Sequence, residues 1–306
     1  MQRRKFLLTG FGAAISATLI YKVRSRSSGA ISQAAQTVKQ SESILSAPLF
    51  RFAAIADTGW GGSDQYAVAQ AMFQRYQEQP FSRVLMAGDN LYPDGNIHLV
   101  KPNFEDPYAA LLERGVKFYA VLGNHDIIHS HNGVDQINYL SFNMSGRYYA
   151  FQQRVNNRAV VDFFAIETNE SAPWSPQLAG LDHALSVSTA PWKIVFGHHP
   201  LYSSGRHGGD PELVAKLSPL FEKHTVSLYL CGHDHCYERF APINGTTYIV
   251  NGGGGAPLYA VGKSPQTAFS SSQHSFMTFD VHEDRIVANA ISTDGRVFDQ
   301  AVIGAS

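Results

Sequence analysis

The 306-residue chain predicts an α/β fold in which two mixed β-sheets pack face to face with helices outside. Three observations lead there. Five apolar runs of strand length alternate with segments of helical periodicity from residue 48 onward. Three further pairs of apolar segments flank hairpin turns. The 26 glycines and 14 prolines suit many short strands and tight turns better than a helical bundle.

The runs "LFRFAAIA" (49–56), "RVLMAG" (83–88), "KFYAVLG" (117–123), "KIVFG" (193–197) and "SLYLCG" (227–232) read as buried strands. Between them, residues 64–79 predict a helix with Tyr66, Ala69, Met72, Phe73 and Tyr76 on one face. Residues 104–114 and 176–187 predict two less regular ones. "DPELVAKLSPLFEKH" opens a fourth, with Asp210 as N-cap and Pro211 at the first helical position. The hairpins are "RYYAFQQ" with "AVVDFFAIE" about Asn156-Asn157, "RFAPI" with "TTYIVNG" about Asn244-Gly245, and "SFMTFDV" with "RIVANAIST" about residues 282–284. No internal repeat and no linker interrupts residues 48–306, which read as one domain.

Composition excludes some classes. The 24 basic and 25 acidic residues nearly cancel, so no broad cationic face for nucleic acid is implied. The two cysteines, Cys231 and Cys236, are too few for a disulfide framework and lack C-x-x-C spacing. Cys231 reads as a buried strand-end residue.

The first residues differ in kind. A basic start, Arg3-Arg4-Lys5, precedes an apolar stretch from Phe6 to Tyr21, short for a membrane span. Arg3-Arg4-Lys5-Phe6-Leu7 resembles a twin-arginine export signal, with Gln2 and Leu8 as departures. Ser28-Gly29-Ala30 offers a cleavage site, but it follows a basic patch of Lys22, Arg24 and Arg26, so a retained anchor is the alternative to a cleaved signal. Residues 1–30 are therefore expected to be a signal or membrane anchor, and 31–47 a flexible polar tether. The resemblance implies passage through the twin-arginine machinery and a periplasmic or extracellular destination.

Each of the five buried runs ends in residue types that bind metals. The first leads to Asp57 in "ADTGW", the second to Asp89 and Tyr92 in "GDNLY", the third to Asn124 and His125 in "GNHD". The fourth leads to His198 in "GHHP", and the fifth to His233 and His235 in "GHDH". Ligand sites in open α/β sheets form beyond the carboxyl ends of the strands. A lone aspartate after a strand serves more often as a turn former, and a lone "GNHD" as a turn with a satisfied histidine. Five such ends in series have no structural reason. Carboxylate, imidazole and amide oxygen together suit Fe, Mn or Zn. Seven donors exceed one tetrahedral ion and fit two ions sharing a carboxylate.

In this order, D-x-G, G-D-x-x-Y, G-N-H-D, G-H and G-H-x-H resemble the calcineurin-like metallophosphoesterase superfamily. The tyrosine of "GDNLY" narrows the resemblance to purple acid phosphatases, and "GHHPLYSSGRHG" is similar to the matching segment of the small tartrate-resistant enzymes. "GHDHCYER" is closer to the plant type. The likeness extends over about residues 48–300. It implies the four-layer α/β/β/α sandwich of that superfamily and hydrolysis of phosphate monoesters by a metal-bound hydroxide. It also implies Fe(III) beside a divalent Fe, Zn or Mn.

Position by position, the resemblance assigns the ferric ion to Asp57, Asp89, Tyr92 and His235. The divalent ion falls to Asp89 as the bridge, Asn124, His198 and His233. His125 and His207 match the histidines that hold phosphate and protonate the leaving group, which ties activity to acidic conditions. Two departures stand out. "DTGWGG" shifts the tryptophan of the first motif, and His199 replaces an aromatic residue, leaving a substrate, supporting or packing role open. His129 and His131 lie in a polar loop and read as solvated. The segment 167–177, matching a repressive loop of the animal enzymes, is short and stiffened by Pro173, Trp174 and Pro176.

Two rival readings remain at this stage. A phosphodiesterase of the same superfamily would ordinarily lack the tyrosine of "GDNLY". A binding or structural protein without turnover would not need His125 and His207, or would have lost ligands.

Overall fold

The computed structural model describes residues 47–129 and 131–304. The expected export segment, 1–30, and the expected tether apart from Ala47 lie outside the described residues. Residues Pro48–Ser306 form one compact unit.

The first sheet has six strands. Its parallel half comprises β1 (Phe50–Ile55), β2 (Arg83–Met86) and β3 (Lys117–Ala120); its antiparallel half comprises β11 (Ser275–Val281), β12 (Arg285–Ser292) and β13 (Val297–Gly304). The order is β13-β12-β11-β1-β2-β3. The second sheet has seven strands: β4 (Tyr149–Val155), β5 (Arg158–Ala165), β6 (Trp192–Phe196), β7 (Leu228–Cys231), β8 (Tyr237–Phe240), β9 (Thr247–Asn251) and β10 (Thr267–Ser271). Its order is β10-β8-β9-β7-β6-β5-β4, with β5, β6, β7 and β9 parallel.

Between the sheets lies an aromatic core. Phe52 of β1 stacks on Phe279 of β11 at 4.5 Å and meets Phe163 of β5 edge-on at 5.2 Å, so one side chain joins both layers. Emptying such a site costs about 3–5 kcal/mol. A second apolar cluster joins the first sheet to α1 (Ser63–Glu78) and α2 (Asp106–Leu112), and a third joins the second sheet to α4 (Trp174–Val187) and α5 (Pro211–Lys223). The layers are thus α/β/β/α, as the resemblance implied. A one-turn helix, α3 (Val134–Ile137), lies in the loop after β3.

All three expected hairpins form, as β4–β5, β8–β9 and β11–β12. Asp210 caps α5, its Oδ1 accepting from the N–H groups of Glu212 and Leu213 at 2.8 and 3.1 Å. One expectation needs correction. The buried face of α1 runs through Gln65, Val68, Ala69, Ala71 and Met72, whereas Tyr66 is exposed. Gln65 is drawn inward because its amide accepts from Gly61 N–H at 2.7 Å and donates to the Asn103 carbonyl. That pairing rotates the helix relative to its most apolar stripe. The 104–114 helix also starts late, after a π turn over Lys101–Glu105.

Candidate metal centre

The parallel strands of both sheets direct their carboxyl ends to one place. β1, β2 and β3 of one sheet and β6 and β7 of the other each end two to four residues before the first metal-ligand residue type. Three of those residues, Asp57, Asp89 and His233, adopt left-handed backbone conformations with φ of 56°, 51° and 69°. Non-glycine residues rarely do so without compensation, and such strain gathers at functional sites. The glycines beside them have a steric reason. A Cβ on Gly123 would come within 2.1 Å of Asp89 Oδ1, and one on Gly232 within 2.2 Å of Asp57 Oδ2.

The donor atoms converge. The Tyr92 hydroxyl lies 2.8 Å from Asp89 Oδ2, 3.2 Å from Asp57 Oδ1 and 3.0 Å from His235 Nε2. Beside this group, Asn124 Oδ1 lies 3.0 Å from both His198 Nε2 and His233 Nδ1, which are 3.3 Å apart. His198 Nε2 is also 3.4 Å from Asp89 Oδ2, which makes Asp89 the residue common to both groups. All seven residues expected as ligands therefore meet in two adjoining sets. Asp57, Asp89, Tyr92, His198 and His235 are buried; Asn124 and His233 are partly so.

Outer contacts orient the rings. A carbonyl oxygen only accepts, so His198 Nδ1 donates to Ala87 O at 2.9 Å and His235 Nδ1 donates to Pro257 O at 2.8 Å. Each Nε2 is then left to face the cluster, the arrangement found in metal-binding histidines. Backbone N–H groups hold the carboxylates: His125 N–H donates to Asp89 Oδ1 at 3.0 Å, and His233 N–H to Asp57 Oδ2 at 3.0 Å.

The electrostatics of these residues ask for cations. Burial raises Asp57 well above the ordinary carboxylate range, against the pull of His198. Burial also opposes the charge of Asp89, yet the His198 imidazole holds that carboxylate below its usual value. His198 itself, despite burial, is raised to about 9 by Asp89 and Asp57. Burial, Asp57 and Asp89 push the Tyr92 phenol well above its usual range. Only a strongly charged cation can make it a tyrosinate. His233 is lowered to about 2 by burial and by His198, and therefore offers a free lone pair. The donor set and its charge fit two metal ions.

His125 and His207 stand at the open side. His125 Nδ1 donates to the Pro93 carbonyl, which leaves Nε2 uncommitted by that bond, and its ring packs 4.6 Å from Tyr92. The exposed His207 ring lies 4.4 Å from His233. His199 is held by Thr168, whose hydroxyl lies 2.9 Å from His199 Nδ1 and accepts from the backbone N–H groups of His198 and His199. Its ring lies 4.5 Å from His233, and burial lowers it to about 3. His129 and His131 are outside the cluster, exposed and paired with Asp94 and Asp135 at 3.1 and 3.0 Å.

Four supporting residues escaped the sequence reading. Asp126 accepts from five donors that join the loops after β2 and β3: the N–H groups of Asn90, Leu91 and Gly123, and the amides of Asn90 and Gln136. Asp234 and Glu238 grip the loop that carries His207. Thr168 spans the two histidines of "GHHP". Asp126 and Asp234 sit inside the motifs, where a carboxylate could have been suspected. Thr168 carries no local signal at all.

Comparison with known proteins adds three findings. Residues 50–237 match the calcineurin-like phosphoesterase family. The chain is 31% identical over 242 residues to purple acid phosphatase 7 of Arabidopsis thaliana, covering 71% of this chain and 72% of that protein. It is 28% identical over 242 residues to tartrate-resistant acid phosphatase type 5 of Mus musculus, covering 68% and 73%. Among solved structures, GAP50, the anchor in the inner membrane complex of Plasmodium, superposes with a TM-score of 0.75 at 24% identity, over 84% of this chain and 89% of that one. That likeness is one of fold.

Proposed function

This chain belongs to the calcineurin-like phosphoesterase family and is an acid phosphatase of the purple acid phosphatase kind, and we propose that it hydrolyses phosphate monoesters at a ferric–divalent centre. In this reading Asp57, Asp89, Tyr92 and His235 hold the ferric ion. Asp89, Asn124, His198 and His233 hold a divalent Fe, Zn or Mn. The observation that carries the reading is the Tyr92 hydroxyl, within 3.2 Å of Asp57, Asp89 and His235. A phosphodiesterase centre has no need of that phenol.

Bound there, the ion pair supplies an acidified water as nucleophile and positive charge against the phosphate oxygens. The remaining roles belong to the chain. His207, exposed beside His233, gives its proton to the alcohol oxygen as the ester bond breaks. His125, its Nδ1 committed to Pro93 O, turns Nε2 toward a non-bridging phosphate oxygen. Asp89, the carboxylate shared by both groups, holds the His125 backbone at 3.0 Å and so fixes that histidine relative to the ligands. Burial of the carboxylates keeps bulk water from screening these contacts.

A panel of phosphate monoesters and diesters tests the reading. Turnover of monoesters with little or none of diesters is expected; the reverse preference would move the protein to the phosphodiesterase alternative. GAP50 is the anchor in the inner membrane complex of Plasmodium; an anchoring role without turnover is disfavoured for this chain because all seven ligand residue types are present. Export by the twin-arginine route, to the periplasm or beyond, is part of the same proposal and rests on Arg3-Arg4-Lys5-Phe6-Leu7. Changing Arg3 and Arg4 together to Lys should leave the activity inside the cytoplasm; undiminished export would contradict it.

A further inference from the structure

The rim of the centre carries a cation that the proposed chemistry does not use. Arg206 directly precedes His207 and is exposed. Its guanidinium carbon lies 4.9 Å from the centroid of the Tyr259 ring. Tyr259 stacks on the His235 ring at 4.2 Å with an 11° interplanar angle, and meets the His207 ring at 5.5 Å, edge to face. Guanidinium, phenol and imidazole therefore form one series of contacts leading from solvent to the candidate centre.

The backbone that carries Arg206 is anchored on both sides. Buried Asp234 accepts from the Ser203 hydroxyl and, through Oδ1 at 2.8 Å, from the His207 N–H. Buried Glu238 accepts from the Ser204 N–H at 2.6 Å. An arginine on so restrained a segment, with its head already stacked, loses little freedom when it meets an anion. Among the described residues no carboxylate lies within 4.0 Å of its guanidinium.

We propose that Arg206 directs this phosphatase toward phosphate monoesters whose alcohol bears a second anionic group, of the phosphorylated hydroxy-acid class. The proposal rests on the reading that His207 protonates the leaving oxygen. The alcohol must then lie alongside His207, and an anion a few bonds beyond the scissile oxygen comes within reach of the adjoining guanidinium. Bonding is otherwise that of simple hydrolysis. A water oxygen bonds to phosphorus, the ester P–O bond breaks, and the alcohol oxygen takes a proton. Arg206 takes part in binding alone.

The test compares 3-phosphoglycerate with glycerol 3-phosphate, which differ chiefly by a carboxylate against a hydroxymethyl group. The metal-loaded enzyme is expected to favour 3-phosphoglycerate in kcat/KM, mainly through KM. Arg206→Gln should lower that ratio on the order of two- to fivefold, the scale of an exposed ion pair. Arg206→Glu should lower it further, and added salt should compress the wild-type ratio. A ratio unmoved by either substitution, with both esters still hydrolysed, would overturn the proposal and leave the phosphatase reading standing. Failure of the wild type on these esters and on 4-nitrophenyl phosphate alike would instead remove the underlying reading, and the proposal with it.

Discussion

The carboxylate of Asp234, the residue between His233 and His235, accepts the backbone N–H of His207 at 2.8 Å. The turn that presents two proposed ligands thus also holds the loop of the proposed acid. A Cβ on Gly205 would lie 2.5 Å from the Asp234 carboxyl carbon, so the contact leaves no slack. The consequence is mechanical: the acid's position is referenced to the centre itself.

His207→Ala is expected to lower kcat by roughly 10²–10⁴ for alkyl phosphates, the usual scale for a lost general acid. The loss should be smaller for an activated aryl phosphate, whose leaving group needs less protonation. Steady-state rates on both substrates decide it; equal losses would assign His207 to phosphate positioning instead.

Asp234→Asn should follow the same pattern more weakly, because it disturbs the loop without removing the imidazole. A five- to fiftyfold loss on alkyl phosphates, with a smaller one on aryl phosphates, is the expectation. Metal content measured alongside separates the alternatives. A fall in bound metal with uniform loss on all substrates would mean that Asp234 acts through the ligands and not through His207.

Asp126→Ala should cost about 3 kcal/mol of stability, since it leaves several buried N–H donors without an acceptor. Asparagine is no remedy: its amide would face donors with a donor. Urea denaturation of the metal-loaded protein measures the loss. A change below about 0.5 kcal/mol would show that water replaces the carboxylate at no cost.

The segment 167–177 should not act as a repressor. Glu167, Thr168 and Asn169 are buried, Arg147 pairs with Glu167 at 3.0 Å, and the Gln177 amide bonds both backbone groups of Glu167. A broad-specificity protease should therefore produce no activation by cutting there. Several-fold activation on cleavage within the segment would contradict this.

Much of the fold and most of the centre could be read from the chain because both depend on short-range pattern. Each of the strands β1, β2, β3, β6 and β7 is an apolar run, and its chemistry follows within six residues, so "GDNLY" or "GHDH" carries strand end and donor together. Hairpins such as Asn244-Gly245 are equally local. What stayed hidden depends on distance. β10 and β13 are edge strands with mixed burial, and their pairing, not their composition, makes them strands. Thr168 matters only because β5 and β6 lie side by side, which brings its hydroxyl under His198 and His199. Tyr66 misled because periodicity weighs apolarity and cannot see the buried bonds of Gln65.

The most direct test of the two-metal account is metal analysis of the purified protein together with its visible spectrum. Two metal ions per chain, at least one of them iron, and a broad visible band from tyrosinate-to-ferric charge transfer are predicted. Tyr92→Phe should bleach that band while the folded protein remains. A colourless wild type, fully loaded with zinc alone, would contradict the ferric–tyrosinate assignment at its centre.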